Sequence, residues 1–149
     1  MEFKFRNNVI YVNSNLSETE VNTKIIAMLV DTAYATFRKK LNRFSKMMGV
    51  KYGELMVFDF RDHFAYVNRF NDVIAPLRAI MMNDFVIDAM LVHGLAHIEY
   101  KEHSAAFYDL VENTLPDYRE RLKAFEDNGY DALFKDNGYN SLSEMLLAG

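Results

Sequence analysis

His93-Gly94-Leu95-Ala96-His97-Ile98-Glu99-Tyr100-Lys101-Glu102-His103 holds three of the chain's four histidines within eleven residues. On an α-helix, residues four apart stand on one face about a turn from each other, so His93 and His97 can aim ring nitrogens at one point. A bend beyond His97 can return His103 to that point, and Ser104 reads as the cap of a following helix. Three neutral imidazoles can hold zinc with a fourth tetrahedral position open, the layout of a catalytic rather than a closed structural site. A lone histidine pair at this spacing is usually coincidence or a satisfied core pair. The third histidine, the apolar surroundings and the scarcity of histidine elsewhere favour a shared metal. The fourth, His63, reads as a turn residue.

The spacing around this stretch predicts a helix from Asp84 to about Tyr100, a second after Ser104, and a third from Pro116, since proline suits a first helical turn. Upstream, Gly49 and Gly53 punctuate the chain. Leu55–Phe60 and Phe64–Phe70, rich in aromatic and β-branched residues, read as strands joined by Arg61-Asp62-His63. Pro76 breaks the chain, and Leu77–Met82 reads as a further strand. Glu2–Phe5 and Val9–Val12 flank Asn7-Asn8 as a hairpin. Ser17 with Glu20 forms a capping box. It opens a long helix through Val21, Ile25, Leu29, Ala33 and Phe37 that ends in the basic cluster Arg38, Lys39, Lys40 and Arg43, a solvated helix end. Asp-Asn-Gly-Tyr occurs at Asp127–Tyr130 and Asp136–Tyr139, and both copies read as helix-ending turns. The expected architecture is a single α+β domain over 1–149. Residues 1–83 supply the hairpin, long helix and short antiparallel sheet, 84–126 the metal-site helices, and 127–149 a helical tail.

A chain of 149 residues, half of them apolar, can bury a core in one domain without disulfides, and it has no cysteine for disulfide or thiolate chemistry. The net charge is −4 with no basic stripe, which disfavours nucleic acid as a main partner. The N-terminal residues lack a basic region followed by an apolar one. The apolar stretches Ile25–Val30 and Phe85–Ile98 are too short and too interrupted to span a membrane. A soluble cytoplasmic protein is the expectation, and its oligomeric state is not readable. The methionines, Met47, Met48, Met81, Met82 and Met90 among them, read as core filler.

The stretch from Asp84 to Phe125 resembles the YgjP-like metallopeptidases, relatives of the SprT-like zincins. Their pattern is His-Glu-Leu-x-His, a third histidine followed by serine, an aromatic, and Pro-Asp-Tyr-Arg-x-Arg. Here it is matched by His93, Leu95, His97, His103-Ser104, Phe107, Pro116-Asp117-Tyr118-Arg119 and Arg121. Upstream, the family's Trp-Gly-Ser element is met only by Tyr52-Gly53-Glu54. A metzincin would need glycine where Tyr100 stands. The resemblance implies a zincin-like fold, Zn2+ held by His93, His97 and His103, and hydrolysis of a peptide by zinc-activated water. It also brings in nucleotide phosphate hydrolysis, although the chain has no Gly-rich phosphate loop.

The pattern's general-base glutamate is replaced by Gly94. General-base catalysis is worth roughly 10²–10⁴ in rate, so peptide hydrolysis is expected to be impaired or abolished. Glu99 lies on the far side of the helix, while Glu102, Asp109 and Glu112 have no predictable reach into the site. Two origins fit the glycine: a substitution that silences the site, or a natural zinc domain that does not cleave peptides. The readings left open are a metallopeptidase scaffold, a non-proteolytic zinc domain that binds a partner protein or nucleotide or hydrolyses nucleotides, and a metal-free interaction domain. Tyr100, Tyr108 and Tyr118 read as packing between helices, and Arg119 and Arg121 as ion-pairing residues of the last helix.

Overall fold

The computed structural model describes residues 2–5, 8–11, 15, 17–60 and 64–136. Ser17 opens the longest helix, α1 (Glu18–Met48), its side-chain oxygen accepting the Glu20 N–H at 3.2 Å. Val21, Ile25, Leu29, Ala33, Phe37, Leu41 and Phe44 are buried, one apolar stripe at nearly constant four-residue spacing. Gly49 ends the helix at φ 69°, a left-handed conformation that glycine adopts without a Cβ penalty. Ahead of it, β1 (Glu2–Phe5) pairs antiparallel with β2 (Asn8–Tyr11), so Asn8 belongs to the strand rather than to the turn.

The sheet departs from the antiparallel expectation. It consists of β3 (Leu55–Phe58), β4 (Tyr66–Val67) and β5 (Val73–Pro76) in the order β3-β5-β4. β3 and β5 are parallel, β4 and β5 antiparallel, and the two strands read from the sequence do not pair with each other. The central strand β5 is buried along its whole length. Buried strands show no polar alternation, which is why so short a segment left no clear periodic signal. Leu77–Met81 is a 3₁₀ helix, not a strand. It buries Leu77, Arg78, Ala79 and Ile80, and Arg78 reaches across to Asp59 with two hydrogen bonds of 2.6 and 3.2 Å.

α2 (Asp84–Glu99) runs through the centre, capped by Asn83, which accepts the Val86 N–H at 3.1 Å. Val86, Ile87, Ala89, Met90, Leu91, Val92, Leu95 and Ala96 are buried around nearly its full circumference, as in a helix with neighbours on every side. Its remaining polar side chains therefore have defined tasks. Asp88 accepts Lys40 of α1 at 2.7 Å, with Arg121 at 3.8 Å; His93 and His97 face the cleft described below. α3 (Ala105–Thr114) follows Ser104, whose side chain accepts the Phe107 N–H at 3.2 Å. α4 (Tyr118–Asp136) starts two residues later than Pro116 suggested. It runs straight through Asp127–Tyr130, so the first Asp-Asn-Gly-Tyr copy is helical and not a helix-ending turn. The second copy lies outside the described residues beyond Asp136, as does His63. No helix among the described residues is long and apolar enough to cross a membrane.

Candidate metal centre

α2 places His93 and His97 one turn apart, and the chain leaves the helix at Tyr100 in an extended conformation (φ −130°, ψ 109°). The Lys101-Glu102 bend then returns His103 to the same side, immediately before the Ser104 cap. The Nε2 atoms of His93 and His97 are 3.0 Å apart, and those of His97 and His103 3.2 Å. The three ligand atoms all lie within 4.8 Å of one another, and among the described residues no carboxylate joins the group.

These spacings fit a metal. Tetrahedral zinc with Zn–N bonds of about 2.0–2.1 Å would hold its nitrogens roughly 3.3 Å apart. The outer ring nitrogens reinforce the point. His97 Nδ1–H donates to the Tyr100 carbonyl at 3.0 Å, which leaves Nε2 as a lone pair. His93 Nδ1 lies 2.7 Å from the Tyr118 hydroxyl, and with Nδ1–H donating there, its Nε2 is a lone pair too. With both outer nitrogens protonated, the two Nε2 lone pairs converge at 3.0 Å, an arrangement that a divalent ion between them satisfies.

The surroundings favour the neutral form of His93 and His97. Burial first, then the adjacent His97 and His103, pushes the His93 pKa from 6.5 down to about 3. Burial also lowers that of His97, opposed by its bond to the Tyr100 carbonyl. Burial raises the Tyr118 pKa, so this hydroxyl stays protonated at neutral pH. Phe107, fully buried, packs its ring 5.2 Å from His93, 4.7 Å from His97 and 5.0 Å from His103, forming a floor under all three. Phe64 stands edge-on to His93 at 5.5 Å. A cleft of about 580 Å³ opens above the rings, bordered also by Ala65, Tyr66, Lys101 and Glu102.

Gly94 is buried behind His93. A Cβ built on it would meet Ala65 Cβ at 3.2 Å and the Ala65 backbone at 3.5 Å. The room beside the glycine is thus taken up by the chain entering β4. Of the other carboxylates weighed from the sequence, Glu112 pairs with Arg119, and Glu102 alone borders the cleft.

Sequence reasoning brought the three histidines together correctly and missed their supports. Tyr118 is not only a packing residue, because its hydroxyl holds His93; its place in the Pro-Asp-Tyr-Arg element was the available signal. Tyr108 does pack: it meets the Phe107 ring edge-on, and the Arg119 guanidinium lies 4.5 Å from its ring centroid. Arg121 pairs with Asp117 at 2.6 Å and donates to the Phe85 carbonyl at 3.0 Å, joining α4 to the start of α2.

A central helix with two histidines a turn apart, a third on the following bend and a second layer of oxygen acceptors defines an α+β metal-binding domain of the metallopeptidase type. The chain belongs to the YgjP-like family: the YgjP-like metallopeptidase domain matches residues 2–128. No curated protein matches it at a significant level. Two solved structures share its fold. The metallopeptidase zymogen abylysin from Pyrococcus abyssi has a TM-score of 0.53 at 20% identity, covering 71% of this chain and 99% of its own. The metallopeptidase zymogen jannalysin from Methanocaldococcus jannaschii has a TM-score of 0.52 at 12% identity, covering 61% and 95%. Likeness at these identities speaks for the fold.

Proposed function

We propose that the chain is a zinc-binding, metallopeptidase-like domain in which His93, His97 and His103 hold the ion, and in which peptide hydrolysis is impaired because Gly94 stands at the general-base position. The observation that carries this reading is the convergence of three Nε2 atoms, those of His93 and His97 3.0 Å apart and those of His97 and His103 3.2 Å apart, with Tyr118 and the Tyr100 carbonyl partnering the outer nitrogens of His93 and His97. Bound there, zinc would supply Lewis-acid polarisation of a substrate carbonyl and activation of water. The chain's own residues orient the His93 and His97 imidazoles, favour their neutral forms and wall the cleft with Phe64 and Phe107. The glycine offers no group to accept a proton.

A second reading, a non-proteolytic zinc domain that binds a partner protein or a nucleotide, draws support from Ala65. Its approach to Gly94 narrows the space where a catalytic side chain would begin.

Elemental analysis of the protein and of His97→Ala tests the site: about one zinc per chain, lost in the variant, is the expected result. Zinc at equal levels in both, or in neither, would refute it. Gly94→Glu, alone and with Ala65→Gly to relieve the contact, separates the two readings. Metal-dependent cleavage of an unfolded protein, lost with chelator, supports the impaired peptidase. Inert variants that still hold zinc favour the non-proteolytic domain.

A further inference from the structure

The cleft over the histidines does not end there. A second cavity of about 510 Å³ shares Tyr66, His97 and Lys101 with it and continues along β4, the edge strand of the described sheet. Its walls include two cationic side chains, Arg69 and Lys101, and no carboxylate, in a protein whose net charge is −4. Among the described residues neither cation is in an ion pair. The acid nearest to Arg69 in sequence, Asp72, is buried and already engaged: it accepts the Glu54 N–H at 2.8 Å and the Asn68 side-chain amide at 3.0 Å. Glu102 borders only the part of the cleft around the histidines.

Arg69 is also presented on a rigid support. The turn from Asn68 to Asp72 is tied by the Asn68 side-chain oxygen, which accepts the Phe70 N–H at 2.9 Å and the Asp72 N–H at 3.0 Å. Asn71 takes a left-handed conformation (φ 62°), and its carbonyl accepts the Gly53 N–H at 2.9 Å. The Arg69 guanidinium lies 4.7 Å from the centroid of the exposed Phe70 ring. Two cations that need a partner, one on a braced turn and one on the bend beside the metal ligands, form one end of a groove that leads to the histidines.

We propose that this groove is a subsite for an acidic side chain of an extended peptide, with Arg69 and Lys101 as the residues that select it; this rests on the reading of the cleft as a peptide-binding site. An extended chain passing the histidines along an edge strand presents alternate side chains to one wall. A glutamate or aspartate at the right register meets both cations, whereas a basic residue there is repelled.

The test is fluorescence anisotropy of the zinc-loaded full chain with a labelled Ala/Gly octapeptide carrying two central glutamates, and with the same peptide carrying glutamines. The glutamate peptide is expected to bind about tenfold tighter at low salt, an advantage that shrinks as salt rises; Arg69→Gln and Lys101→Gln should each cost it about threefold and leave the glutamine peptide unchanged. Arg69→Glu should abolish the preference, and Arg69→Glu with Lys101→Glu should reverse it towards a lysine peptide. Equal binding of the two peptides, unmoved by these exposed substitutions, would overturn the subsite and leave the peptide cleft standing. Binding of neither peptide would overturn the peptide reading itself. Inorganic pyrophosphate binding that depends on Arg69 and Lys101, with no binding of peptides, would give the groove to phosphate and refute the acidic-peptide subsite.

Discussion

Replacing Tyr118 with phenylalanine removes one oxygen from the second layer of the metal centre and leaves the ring packing in place. In the protein that oxygen lies 2.7 Å from His93 Nδ1 and holds the ring so that Nε2 points at the other two histidines. In Tyr118→Phe the Nδ1 position has lost this partner, and the proton is free to move to Nε2. There it can donate to the His97 Nε2 atom 3.0 Å away, an arrangement open to the metal-free protein and closed to the metal-bound one. The metal-free variant is thereby spared and the metal-bound one is penalised. Loss of such outer partners typically weakens metal binding about 10–100-fold. That corresponds to about 1.4–2.8 kcal/mol. Competition for zinc against a chromophoric chelator at neutral pH measures it directly, with far-UV circular dichroism as the check that the fold is retained. The zinc-dependent gain in melting temperature should shrink in parallel, since binding to the folded state alone adds RT ln(1 + [L]/Kd) of stability. An intact variant whose zinc affinity stays within twofold of the parent would refute the reasoning, and Tyr118 would revert to a packing residue.

Phe107→Ala should be severe, because the ring touches all three imidazoles and is fully buried; a loss of about 3–5 kcal/mol in urea denaturation is expected. Asp88→Asn withdraws the carboxylate shared by Lys40 and Arg121, both themselves mostly buried, and should destabilise the fold by about 1–3 kcal/mol without altering zinc content. The stability of the metal-free protein should fall in acid. His93 takes a proton near 6.5 when unfolded and only near about 3 when folded, so the unfolded state binds more protons between these values. Stability is therefore retained above 6.5 and lost as the pH falls towards 3, at up to about 1.4 kcal/mol per unit, as urea midpoints across that range would show.

The sequence made the helices legible because their signals are local. The capping box at Ser17, the four-residue stripe on α1 and the cap at Ser104 each act within a turn of the backbone. The convergence of the three histidines was legible for the same reason, since helical spacing and one bend suffice to join them. The sheet was not. β3 pairs with β5 across a gap that holds β4, a choice made by long-range packing, and β5 carries no alternation to announce it. Leu77–Met81 resembles a strand in composition, but it coils tightly after Pro76, with Arg78 held by Asp59. Asp127–Tyr130 has turn chemistry by composition, and the helix passes through it. The hydroxyl on Tyr118 was out of reach for another reason: its target lies 25 residues earlier, and only the fold brings the two together.

The contact between Gly94 and Ala65 has a bearing on substitution at either position. A glutamate at position 94 places its first side-chain carbon 3.2 Å from the methyl of residue 65, so the wall must yield by a few tenths of an ångström before the carboxylate can be accommodated. The two positions are therefore not free to change independently. Alanine at 65 is comfortable beside glycine at 94, and each substitution alters the consequence of the other. The wall at residue 65 thus sets how readily a larger side chain at 94 is received, and the two positions act as one packing unit.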